Sequence, residues 1–210
     1  NDIVFAVVSP DGREALGGGV GTKVWDIATG KLLKTLKLPN TNEDDSSENF
    51  FVTVAFSPDG TQIASGGQSV VIWDAKTGKL LKMFDADPER VNSVAFSPDG
   101  HQLLTSGSAV KLWDTKTYEL LQTFGDTRSA ADIALFSADG RQVVTSDGTC
   151  LRVWDATRGK EVLTMLASPT REWAVVTPAG FFDASEGGMK LLTAIRGSDV
   201  LPIEQYREKF

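Results

Sequence analysis

Residues 91–124 read VNSVAFSPDGHQLLTSGSAVKLWDTKTYELLQTF. The stretch holds four short runs, VNSVAF, QLLTSG, AVKLWD and ELLQTF, each six residues long. Turn residues separate them. Pro98 presets φ between the first two runs, and Gly100 tolerates a positive φ that other residues resist. Short runs at about ten-residue spacing, punctuated in this way, read as β-strands. No gap between them is long enough for a crossover helix, so consecutive strands must pair as antiparallel hairpins.

The same phrase recurs on both sides. SPDG stands at 9–12, 57–60 and 97–100, SADG at 137–140 and TPAG at 177–180, giving steps of 48, 40, 40 and 40 residues. A second marker follows the first four copies: VWD at 24–26, IWD at 72–74, LWD at 112–114 and VWD at 153–155. Two markers holding register over four copies define a repeat. A four-stranded antiparallel unit repeating about every 40 residues is a β-propeller blade.

SVAFSPDG (93–100), VVIWDAKTGKLL (70–81), VKLWDTKTYELL (110–121) and LRVWDATRGKEVL (151–163) carry a resemblance to the WD-repeat (tryptophan–aspartate) β-propellers, over roughly residues 1–185. That resemblance implies an all-β fold of four-stranded antiparallel blades. About five are expected here, near 1–37, 38–85, 86–125, 126–166 and 167–197, with 198–210 as a C-terminal exit segment. Around 19 strands are expected, one short of five full blades. An open arc leaves a raw sheet edge, which natural proteins avoid. Three completions are open: further blades in the same polypeptide, giving a seven-bladed ring; closure at five; or a second copy. The chain opens with Asn1 and an apolar run rather than Met, which favours the first.

The copies depart from the family pattern. Members often carry a Gly–His pair before the first strand and an aspartate in the turn before the tryptophan strand. Here the only histidine is His101, outside that position, and only the fourth copy keeps a turn aspartate, Asp147. A hydroxyl column survives as Ser65, Thr105 and Thr145, with Gly17 in the first copy. Buried indole N–H groups need acceptors. We therefore expect Ser65, Thr105 and Thr145 to accept from Trp73, Trp113 and Trp154, with Trp25 and these three as blade core. Trp173 falls on an innermost strand by register and is also read as core.

Composition excludes several function classes. A net charge of −7 argues against a phosphate-tracking surface, so nucleic acid is not an expected partner. No apolar run is long enough to span a membrane, so none is expected as a partner either. The single cysteine, Cys150, suits a reducing compartment, and a cytoplasmic location is expected. His101 follows the first hairpin turn of its blade and Cys150 the second turn of its own. They therefore lie at opposite ends of a strand, and no nucleophile–base pair forms. One His and one Cys also cannot hold a structural zinc. GGGVG (17–21) is followed by no helix that could hold an anion, and it reads as a glycine-softened hairpin. Asp26, Asp74, Asp114 and Asp155 recur by register and read as turn anchors. No catalytic, metal or cofactor site is expected, and the chain reads as no enzyme by itself.

Binding remains. In the family, one face carries the loop before each first strand and the turn before each tryptophan strand. Here that face takes in 38–50, 86–91, 126–131 and 167–171, with the turns near 67, 107 and 147. Its candidate partner-binding residues are Glu43, Asp44, Asp45, Arg90, Asn92, Arg128, Asp132, Arg171 and Glu172. The acidic loop, which also carries Glu48, is eight residues longer than its equivalents and reads first as a solvated charge run.

The fifth copy, WAVVTPAGFFDASEGGMKLLTAIRG (173–197), has Ala194 and Ile195 where a tryptophan–aspartate pair is due. It is expected as a terminal blade. With LPIEQYREKF (201–210), this tail resembles the C-terminal end of WD-repeat regions in bacterial multidomain proteins, some of which carry a caspase-like peptidase or a signalling NTPase. Besides a stand-alone hydrolase using a propeller pocket, which the absence of a nucleophile–base pair sets aside, two functions are weighed. One is a scaffold holding a protein or peptide on its face loops. The other is a regulatory propeller of a larger enzyme.

Overall fold

The computed structural model describes residues 5–38, 50–125, 130–196 and 199–202. Twenty strands occur among them. The first sheet holds β1 (Ala6–Val8), β2 (Glu14–Gly17), β3 (Thr22–Asp26) and β4 (Leu32–Leu36) in sequence order. The second holds β5 (Thr53–Phe56), β6 (Gln62–Gly66), β7 (Val70–Asp74) and β8 (Leu80–Phe84). The third holds β9 (Ser93–Phe96), β10 (Gln102–Ser106), β11 (Val110–Asp114) and β12 (Leu120–Phe124). The fourth begins with β13 (Ile133–Phe136), β14 (Gln142–Ser146), β15 (Cys150–Asp155) and β16 (Glu161–Ala167). Every pairing in these four sheets is antiparallel, as the short connections require.

The repeated residues close the turns. In the first hairpin of each copy the serine hydroxyl donates to the aspartate two residues on: Ser9 to Asp11 at 2.7 Å, Ser57 to Asp59 at 2.6 Å, Ser97 to Asp99 at 2.5 Å and Ser137 to Asp139 at 2.6 Å. The glycine that follows takes the left-handed conformation, with φ of 73°, 69°, 74° and 69° at Gly12, Gly60, Gly100 and Gly140. In the last hairpin the aspartate after the tryptophan accepts from backbone amides downstream, as in Thr29 N–H to Asp26 at 2.7 Å and Thr77 N–H to Asp74 at 2.6 Å. A register shift before each of Trp25, Trp73, Trp113 and Trp154 marks a bulge, which strengthens the local twist.

The core lies between the sheets rather than within any one of them. Inner strands β1, β5, β9 and β13 touch in succession. One buried cluster joins Leu16, Val24 and Leu36 of the first sheet to Phe51, Ile63 and Trp73 of the second. The next two clusters repeat this arrangement around Trp113 and Trp154. Trp113 and Trp154 sit against the end of the preceding outer strand: Phe84 lies 5.0 Å from Trp113 and Phe124 lies 6.2 Å from Trp154, centroid to centroid. Covering an aromatic face in this way stabilises by about 0.5–1.5 kcal/mol beyond the area buried.

The fifth copy departs from expectation. It does not stand as a sheet of its own. Its first two strands, β17 (Trp173–Val176) and β18 (Phe182–Ala184), extend the fourth sheet beyond β16. The pairs Thr164 with Val176 and Leu166 with Ala174 fix that edge. The physical reason is a turn. Ser168, Pro169, Thr170 and Arg171 close a tight hairpin, with Ser168 N–H donating to Glu172 C=O at 2.8 Å and Arg171 N–H to Ser168 C=O at 3.0 Å. Arg171 occupies the glycine-like position at φ 66°. Ser168–Pro169 is thus a further turn signal of the Ser-Pro type. Trp173, expected in the core, is 41% exposed. A short 3₁₀ turn, Gly188–Leu191, and the hairpin of β19 (Thr193–Arg196) with β20 (Asp199–Pro202) follow. Among the described residues no helix is long and apolar enough to cross a membrane.

Candidate binding face

At one end of the sheets, the chain after β8 crosses to β9 beside the turn that joins β10 to β11. Asp87 holds these two segments together. It is 6% exposed, and one carboxylate oxygen accepts from Glu89 N–H at 3.0 Å and Arg90 N–H at 3.3 Å. The other accepts from Ser108 N–H at 2.9 Å and the Ser108 hydroxyl at 2.7 Å. Burial pushes the Asp87 carboxyl up, but these four donors outweigh it and hold the group below its ordinary range. Gly107 leaves the space for this clamp: a Cβ there would lie 2.3 Å from Arg90 C=O and 2.8 Å from the Asp87 carboxylate. Lys111 closes the other side, its Nζ donating to Ala86 C=O at 2.6 Å.

Beside the clamp, hydrogen bonds bring the chain at three of the expected binding residues close together. Arg90 is exposed, and its Nε donates to Asn92 Oδ1 at 3.4 Å. Asn92 N–H donates to Ser106 C=O at 2.7 Å, and the Ser106 hydroxyl donates to Asp132 C=O at 3.4 Å. Arg90, Asn92 and Asp132 are therefore linked through Ser106 on one face. Reading the sequence missed Asp87. Its signal was the Asp-Pro pair at 87–88, a turn initiator.

Arg171 and Glu172 do not sit in a crossover of this kind. They lie in the hairpin between β16 and β17, where Arg171 is exposed and Glu172 accepts from the Ser185 hydroxyl. Glu43, Asp44, Asp45, Glu48 and Arg128 lie outside the described residues.

The fourth sheet carries a second polar knot at the same kind of turn. Asp147 accepts from the Thr149 hydroxyl at 2.7 Å, Cys150 N–H at 2.9 Å, Cys150 Sγ at 3.2 Å and Arg152 Nη1 at 3.1 Å. The Thr149 hydroxyl and then the Cys150 amide hold the Asp147 carboxyl far below the usual carboxylate range. Burial, and then the bond to Asp147, push the Cys150 thiol up. A thiol shifted upward stays protonated near neutrality and acts here as a donor, whereas a nucleophile requires thiolate. His101 is exposed in the opposite hairpin of its own sheet, where its N–H donates to Asp99 at 3.0 Å. Among the described residues no cluster of three His, Cys, Asp or Glu is placed to hold a metal ion.

Beneath the face, Trp73, Trp113 and Trp154 donate through Nε1 to Ser65 at 3.2 Å, Thr105 at 3.0 Å and Thr145 at 2.9 Å. Ser65 also bonds Thr22 Oγ1 of the first sheet at 2.6 Å, which ties two sheets through one buried hydroxyl. Trp25, whose column position is Gly17, is half-buried. In the GGGVG stretch, a Cβ on Gly18 would lie 2.7 Å from Phe51 C=O, so close backbone approach accounts for the glycine.

At the other end of the first two sheets is a cleft of about 460 Å³ lined by Asp11, Arg13, Asp26, Asp59 and Lys76 among others. Its aspartates are engaged in their own turns with Ser9, Thr29 and Ser57, which lower each carboxyl by hydrogen bonding.

The family model described as WD domain, G-beta repeat matches residues 40–74, 78–114 and 118–155, more than half of the chain. Each matched repeat ends one residue after a tryptophan whose indole is bonded to the hydroxyl column. No curated protein matches the chain.

Proposed function

Because the chain belongs to the WD40 family of WD-domain, G-beta repeats, we propose that it is a non-catalytic scaffold that holds a protein or peptide on the face bearing Arg90, Asn92 and Asp132. Repeats of this family are generally protein-interaction modules. The observation that carries the reading is the Asp87 clamp. A carboxylate engaged by four donors fixes the loop beneath Arg90 before any partner arrives, which lowers the entropy cost of binding. Glu43, Asp44, Asp45 and Arg128 extend this face in the proposal, with Arg171 and Glu172 at its margin. The WD-repeat region spans 1–197, with the start of its fifth copy carried on the edge of the fourth sheet, and the ring is completed by further blades or a second copy.

The test is capture of partners on the immobilised chain, repeated with Arg90→Glu and Asp132→Lys, using His101→Ala as a control in the opposite hairpin. Loss of the same partners from both charge reversals, with the control unchanged, is the expected result. Charge reversals that leave every partner bound would refute it.

A second reading makes the chain the regulatory propeller of a larger cytoplasmic bacterial enzyme, such as a caspase-like peptidase or a signalling NTPase. It rests on the likeness of the tail, EWAVVTPAGFFDASEGGMKLL (172–192), to such proteins. A reading frame encoding an additional catalytic domain is its requirement, and a frame without one removes it.

A further inference from the structure

In the second and third sheets the inner strand is covered by the inner strand of the next, whereas Phe5, at the equivalent position of the first, is 45% exposed. Thr53 is 2% exposed and Ser93 is 8% exposed. The contacts are specific: Val94 N–H donates to Thr53 Oγ1 at 3.2 Å, and the Ser93 hydroxyl donates to Ala134 C=O at 3.4 Å. The same position in the fourth sheet is Ile133, and it is 50% exposed, with Leu135 beside it at 52%. Leu151 and Met165 add to this apolar face.

The segment whose repeat register assigns it to that face is present in the chain. WAVVTPAG (173–180) stands 40 residues after IALFSADG (133–140), as that stands 40 after SVAFSPDG (93–100). Yet β17 and β18 lie on the outer edge of β16 instead. That location leaves Trp173 and Phe181 exposed in water, and it requires Arg171 at φ 66°, a conformation disfavoured for any residue with a Cβ.

We propose that residues 173–184 have two docking places on the fourth sheet: the outer edge of β16, and the face of β13 formed by Ile133 and Leu135. Chain length permits the exchange. The crossovers at 85–92 and 125–132 are eight residues long, whereas Ser168–Glu172 is five. But β16 has seven residues where β4, β8 and β12 have five. Releasing Leu166 and Ala167 lengthens the connection to within one residue of the other crossovers. On the β13 face Ala174 takes the place that Val94 has over Thr53, and Val176 the place that Phe136 has beside Ala95 in their shared cluster. The exchange trades the exposed edge hairpin for a covered apolar face.

Three cysteine pairs read the two places, all in a Cys150→Ser background because Cys150 is the cross-strand neighbour of Leu166. Leu166→Cys with Ala174→Cys reports the edge. Ile133→Cys with Ala174→Cys reports the β13 face, and Leu135→Cys with Val176→Cys reports it independently should the former pair disturb folding. Under mild oxidation, edge and face pairs are expected to close as intramolecular disulfides, resolved by non-reducing gels and peptide mass mapping. Arg171→Gly removes the left-handed penalty from the edge form and lowers the closing rate of the face pairs about fivefold. Face pairs that stay reduced where the edge pair closes, disulfides that form only between chains, or face-pair rates unmoved by Arg171→Gly would each overturn the proposal.

Discussion

Replacing Thr105 with Val tests the hydroxyl column most directly. Thr105 Oγ1 accepts from Trp113 Nε1 at 3.0 Å, and the two residues are 2% and 8% exposed, so water cannot take over as acceptor. Valine has nearly the shape of threonine, so the substitution opens no cavity of consequence. A buried donor left without a partner costs about 1–3 kcal/mol. The methyl group that replaces the hydroxyl returns up to about 0.8 kcal/mol of apolar burial. The net loss is thus centred on about 1–2 kcal/mol, and for a chain of this size that lowers Tm by roughly 2–8 °C. Thermal unfolding followed by far-UV circular dichroism reads the shift. A cycle with Trp113→Phe isolates the bond from the packing of Trp113 on Phe84, with an expected coupling of about 1 kcal/mol. A Tm unchanged within about 1 °C, or a coupling near zero, would show that the column is not a stabilising polar link.

Gly107→Ala drives a Cβ into Arg90 C=O and the Asp87 carboxylate, so the 86–91 loop must shift. We expect a loss of about 1–3 kcal/mol in urea unfolding, together with faster exchange of the Arg90 and Ser108 amides; unchanged exchange would mean that the clamp is not built as described. Asp147 and Asp87 are both held below their unfolded pKa of about 3.9, so the stability they contribute is fully present above roughly pH 5 and lost as the pH falls through their lower folded values. Melting temperatures between pH 7 and pH 2 should fall at the acid end, less steeply in Asp147→Asn, and equal slopes for the two proteins would contradict the assignment.

Much of the architecture was legible in the sequence because it is local. A serine, an aspartate and a left-handed glycine at fixed offsets specify a hairpin whatever surrounds it. Four such hairpins in register leave an antiparallel sheet as the only short-looped solution. The pairing of Trp113 with Thr105 was legible for the same reason. Residues directly opposite, or two positions along on the same face, meet by register, as Trp113 opposite Leu103 meets Thr105 two positions on. The binding face was only partly legible. Arg90, Asn92 and Asp132 fall on it by repeat position, but the buried Asp87 that organises them lacks the residue identity the family pattern led us to seek.

What the sequence by itself determined was the repeat, its turns and the tryptophan–hydroxyl pairs of the second to fourth sheets, all properties of a chain segment about 40 residues long. The tertiary structure decided where the fifth copy went. By register its first strand belongs on an inner position, and by local turn chemistry Ser168–Arg171 can equally close a hairpin onto β16. Both are allowed within the segment. The choice between them is set by edge hydrogen bonds, the exposure of Trp173 and Ile133 and the strain at Arg171, which are energies that exist only once the fourth sheet has formed.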